Sequence, residues 1–132
     1  MTSVLQVQLA PSHDEAVEFI VINDERSGAQ FEFLTSQESA VFSVSPNVTG
    51  QLFGLARVVQ LVVNRPYRAS IDGMHVTIIL EDQPDLPTEV VLLASRGSPS
   101  LELAVLCADI ATKHAQKPET VQLMASIRRH FD

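Results

Sequence analysis

The sequence predicts an α+β fold, in which a mostly antiparallel sheet carries its helices on one face. Three observations lead there. Several short stretches alternate apolar and polar residues with a period of two, as in Val4–Ala10 and Val17–Asn23. Two longer stretches space their apolar residues at helical period, and both open on a Ser-Pro pair, Ser45-Pro46 and Ser98-Pro99. Turn-forming clusters separate the alternating stretches, so consecutive strands are joined by hairpins and not by crossover helices.

In VLQVQLA, Leu5, Val7 and Leu9 alternate with Gln6 and Gln8, which describes a strand with one wet face and predicts a place near an edge of the sheet. VEFIVIN alternates as well, but Ile20 and Ile22 put apolar groups on its second face, and this strand is predicted to be more central. AQFEFLT follows the turn cluster Asn23–Gly28, and AVFSV has the composition of a short further strand. The period then changes. Leu52, Leu55, Ala56, Val59, Val62 and Val63 follow helical spacing, with a narrow polar stripe through Gly50, Gly54, Arg57 and Asn64, so the helix is expected to be largely buried. Ser45 as N-cap and Pro46 at the first helical position give it a clear start.

The order runs again in the second half. PYRASI, MHVTIIL and TEVVLLA read as strands, and a helix starts at Ser98-Pro99. A last helix opens with Pro118 and Glu119 and closes with Arg128 and Arg129, charges that suit the two ends of a helix dipole. The plan is a mostly antiparallel sheet in a βββα-βββαα order, with the repeated Ser-Pro starts suggesting two related halves in one α+β domain spanning residues 1–132.

Asp72-Gly73 is the preferred pair for a two-residue type I′ turn. It fixes a register in which Ile71 faces Met74, Ser70 faces His75, Ala69 faces Val76, Arg68 faces Thr77 and Tyr67 faces Ile78. Ser70 opposite His75 has the residue types of a nucleophile and its base, yet mid-hairpin N–H groups are used in the ladder and none is left to hold an oxyanion. The pair reads as a cross-strand polar contact, and no catalytic residue is expected.

Other clusters carry equally ordinary readings. Ser12-His13-Asp14-Glu15 lies where the first hairpin must turn, and its residue types are those of turns. The acidic loop through Glu81, Asp82, Asp85 and Glu89 lacks the spacing and the glycine of a calcium loop. Cys107 lies among Leu103, Leu106 and Ile110 at helical spacing and is expected to be a buried, unreactive thiol. No metal and no cofactor is expected. Arg96, before the helix start at Ser98-Pro99, stands beside a free helix N-terminus, and with Arg68 and His75 it marks the alternative reading: a small enzyme or an anion- or ligand-binding cleft.

A formal net charge of -7 repels phosphate backbones, so no nucleic acid is expected as a partner. No apolar run is long enough to cross a bilayer, the start lacks the features of a signal peptide, and a single cysteine suits a reducing compartment; the chain reads as cytoplasmic and off the membrane. The pattern that asks for a partner is apolar. Ile20, Ile22, Ile79, Val91 and Leu93 fall on strand faces that alternation assigns to solvent, and such patches are seldom left bare. The expected function is therefore a non-catalytic protein-protein interaction module, an adaptor, immunity-type or chaperone-like factor, with another polypeptide as partner and a homodimer as its form. In size, acidity and element order from Val17 to Ala115 the chain is similar to bacterial type III secretion chaperones, with no shared motif and without the helix with which those proteins usually begin.

Overall fold

Strand β1 (Thr2–Pro11) organises the sheet in a computed structural model that describes residues 2–11, 15–62, 70–71, 74–81, 88–92 and 99–129. It pairs antiparallel with β2 (Val17–Asp24) on one side and with β6 (Met74–Glu81) on the other. Its edge placement is thus corrected to a central one. Alternation reports which face of a strand is wet; it does not report which strands flank it, and β6 arrives from far along the chain. From β2 the sheet continues through β3 (Gly28–Leu34) to β4 (Ser39–Val44), all antiparallel. Beyond β6 lie β5 (Ser70–Ile71) and β7 (Thr88–Leu92), and the path runs β4-β3-β2-β1-β6-β5 with β7 also on β6.

The α+β class and the antiparallel sheet are as the sequence predicts, with one strand more: β4 is a full six-residue strand, so the order is ββββα-βββαα. Among the described residues the two halves do not repeat one another. Strands β1 to β4 form a meander, whereas in the second half β5 and β7 share one side of β6. The predicted hairpin register holds at Ser70 opposite His75 and Ile71 opposite Met74. Further out, Val76, Thr77 and Ile78 pair with Leu92, Val91 and Val90 of β7, while Ala69, Arg68 and Tyr67, expected opposite them, lie outside the described residues.

The β2–β3 turn shows how local chemistry sets register. Asp24 Oδ1 accepts a hydrogen bond from Arg26 N at 2.9 Å, and Gly28 closes the loop at φ 85°, a conformation that glycine adopts without a Cβ penalty. At the next loop Thr35 N donates to Glu38 O at 2.9 Å, and the Thr35 hydroxyl oxygen accepts from Gln37 N and Glu38 N. Helix α1 (Pro46–Val62) begins as its cap signal predicts, with Ser45 Oγ accepting from Val48 N at 3.3 Å and Ser45 O accepting from Thr49 N and its hydroxyl. Helix α2 (Pro99–His114) and helix α3 (Pro118–Arg129) start at the expected prolines.

One face of the sheet is sealed. Leu5, Val7 and Leu9 of β1 sit in register with Val21, Phe19 and Val17 of β2 and with Leu80, Ile78 and Val76 of β6, and all are buried. Phe31 and Phe33 extend this layer across β3. Against it lie Leu52, Phe53 and Ala56 of α1 and Leu103, Cys107 and Ala111 of α2, with Leu123, Met124 and Ile127 of α3 closing the cluster. Phe53 belongs to the buried stripe although the helical pattern above omits it; spaced between Thr49 and Ala56, it widens the apolar face. Arg128 and Asp109 form an ion pair between α3 and α2.

Candidate functional site

The opposite face of the sheet receives no helix among the described residues. Cross-strand register sorts it into rows. The middle row reads Val41, Glu32, Ile20, Gln6, Ile79 and Glu89 from β4 through to β7. On one side of it run Ser43, Gln30, Ile22, Val4 and Glu81; on the other run Ser39, Leu34, Glu18, Gln8, Thr77 and Val91. Ile20 and Ile79 are half-buried by their neighbours, while Ile22 is 44% and Val41 56% exposed. Ile20, Ile22 and Ile79, with Val91 by its register position, thus share one face. Leu93 lies outside the described residues.

Val41, Val4 and Leu34 belong to the same face and were missed by reasoning from sequence. The signal was present in Val41, since a full β4 in register with β3 puts alternate residues on each side.

Among the described residues, charge on this face has one sign. None of the described strand residues is a lysine or an arginine, and Glu18, Glu32 and Glu81 fall on the open side, with Glu89 at the matching register position. Gln6 Nε2 donates a hydrogen bond to the Glu18 carboxylate, a contact across β1 and β2 that leaves the negative charge in place. The face also dips into a shallow groove of about 280 Å³ where Gln8, Ala10, Glu18, Leu34 and Thr35 meet. The outcome is a mostly flat patch of branched aliphatic side chains set among carboxylates and glutamines.

The alternative cleft cannot be assembled. Arg68 and Arg96 lie outside the described residues, and His75 is placed only by its backbone, on β6 opposite Ser70. Ser12, His13 and Asp14 also lie outside them, as does most of the acidic loop after Glu81. Among the described residues no group of three His, Cys, Asp or Glu gathers as metal ligands would. A second groove of about 420 Å³ beside the start of α3 is lined by Glu15, Thr35, Gln37, Glu119, Thr120 and Ser126 among others: hydroxyls, amides and two carboxylates, without a cation, thiol or imidazole. Cys107 is fully buried, and desolvation pushes its thiol far above the usual range, which disfavours the reactive thiolate.

Beside this groove Glu38 ties the sheet to the helices. Its carboxylate accepts hydrogen bonds from Gln116 N at 2.8 Å, Lys117 N at 3.0 Å and the Thr120 hydroxyl at 2.7 Å. Lys117 Nζ also donates to Gln37 O at 2.6 Å. The bond from Gln116 N, then that from Thr120, holds the Glu38 carboxyl below its usual range. This arrangement caps α3 from outside and is structural.

No model of a known protein family matches the chain, and no curated protein matches its sequence. No helix among the described residues is long and apolar enough to cross a membrane.

Proposed function

We propose that the chain is a non-catalytic protein-protein interaction module of adaptor or chaperone-like kind, acting in the cytoplasm, and that its open sheet face docks a segment of another polypeptide. One observation carries the reading: Ile20, Ile22, Val41 and Ile79 share a face that no described element covers, in a sheet whose described strand residues include carboxylates and no lysine or arginine. Aliphatic groups in such numbers on a flat surface favour a partner that removes them from water. The carboxylates specify the partner further. Two such faces stacked on each other would bring like charges together, whereas an amphipathic segment with lysine or arginine beside its apolar stripe matches both features.

The test uses two labelled synthetic peptides with the same leucine stripe, one carrying lysines and one glutamates on the polar face, titrated by fluorescence anisotropy. The lysine peptide is expected to bind, more weakly as salt rises, and to lose at least about tenfold in affinity against Ile20→Asp or Ile22→Asp. Equal binding of both peptides, or binding that these substitutions leave unchanged, overturns the reading.

A further inference from the structure

We infer that β4 is a dimerisation edge: two copies of the chain pair their β4 strands antiparallel about a two-fold axis at Val41, so that one sheet runs through both. This goes beyond docking on the open face and rests on separate geometry, that of the backbone. Thr35 N bonds Glu38 O, and in an antiparallel ladder such pairs recur at every second residue. In the β3–β4 register the bonded pairs are then Phe33 with Ala40, Phe31 with Phe42 and Ala29 with Val44. It follows that Ser39, Val41 and Ser43 turn their N–H and C=O groups outward, away from β3. No other described strand pairs with them, and no backbone hydrogen bond outside the ladders engages them among the described residues.

An edge left like this is a template for another strand, and proteins ordinarily blunt it with lysine, proline, a bulge or an inward charge. Ser39–Val44, SAVFSV, has no charged residue and no proline, and Val41 at its middle is 56% exposed. The sequence also fits itself. With the axis at Val41, Ser39 lies opposite the partner's Ser43 and Val41 opposite the partner's Val41, and each of these outward pairs can exchange hydrogen bonds. On the helix side Ala40 lies opposite the partner's Phe42, a small residue against a large one. Like charges meet at no position of this pairing. Closed two-fold association is the commonest assembly of identical chains, and here it would extend the middle row of the open face through Val41 into the second copy.

Sedimentation velocity on the full chain, from about 1 µM to about 1 mM, reads this directly. The mass is expected to rise from 14.5 kDa toward twice that value. Val41→Pro removes an outward N–H that takes no part in the β3 ladder, and Val41→Lys adds charge to the edge. Each is expected to weaken dimerisation by about tenfold or more, with an unchanged far-UV spectrum. Two variants guard against one that fails to fold. As a check on register, Val41→Cys is expected to form an intermolecular disulfide under mild oxidation, and Val58→Cys, on the exposed side of α1, is not. A wild-type chain that stays at 14.5 kDa, or variants that dimerise as well as the wild type, overturns the inference. Peptide binding at Ile20 and Ile22 is read separately, so either proposal can fail alone.

Discussion

The His114 imidazole lies flat on the Phe42 ring, with centroids 3.6 Å apart and planes within 8°. Its Nδ1 sits 3.0 Å from the Ile110 carbonyl oxygen, an acceptor, so Nδ1 carries the hydrogen. Phe42 in turn stacks on Phe31 at 5.3 Å and tilts against Phe33 at 6.3 Å. One aromatic chain therefore joins the end of α2, the outermost described strand on that side and the core. Phe42→Ala is expected to cost about 2 to 4 kcal/mol in urea unfolding, the range for removing a large side chain from packed surroundings. His114→Ala removes one layer and one hydrogen bond and is expected to cost less.

Adjacent residues on β2 give the sharpest test of which face is sealed. Phe19 is buried against the helices, and Ile20 points to the open side. Phe19→Ala is expected to destabilise by about 3 to 5 kcal/mol. Ile20→Thr, which keeps the β-branch, is expected to change stability by about 1 kcal/mol or less. Thermal unfolding of the two variants side by side measures the contrast.

Glu38 makes stability depend on pH with a definite sign. Its folded carboxyl is held below the usual range by the bonds from Gln116 N and Thr120, whereas in the unfolded chain it returns to its ordinary value. The contribution is fully present above that unfolded value and is lost as pH falls through the folded one. Glu38→Gln is expected to be less stable than the wild type at pH 7 and to approach it in acid. Unfolding midpoints of both proteins between about pH 7 and pH 3 check this.

Gly28 tests the β2–β3 turn without a steric complication. A Cβ there would meet nothing within 4 Å, but the backbone holds φ +85°. Gly28→Ala is therefore expected to cost about 1 kcal/mol from conformation alone, measured by denaturant unfolding.

Cys107 is expected to resist thiol reagents in the native state. Desolvation raises its thiol, and the side chain has no exposed surface. Labelling by a coloured disulfide reagent at pH 8 is expected to follow unfolding, rising steeply in urea, and fast labelling in water contradicts this placement.

What was legible in the sequence was periodic and local. Alternation assigned Val76, Ile78 and Leu80 to the buried side and Ile20, Ile22 and Ile79 to the open one, because a strand's period holds wherever the strand sits. Ser45-Pro46 marked a helix start through bonds that span a single turn. What was not legible is long-range. β1 reads as an edge strand until β6 pairs with it, and the outer hairpin partners of Val76 to Ile78 come from β7. The bond from Thr120 to Glu38 crosses 82 positions, and no local pattern announces it. The open face was visible in part. Val41 does not stand out in AVFSV, because the row it completes exists only once β4 pairs with β3.

The open face as a docking surface is tested most directly by titrating the ¹⁵N-labelled chain with the lysine-faced amphipathic peptide and mapping amide shifts. The account predicts shifts concentrated at Gln6, Ile20, Ile22, Glu32, Val41 and Ile79, with the amides of α1, α2 and α3 nearly still. Shifts centred on the helices, or none at saturating peptide, contradict it.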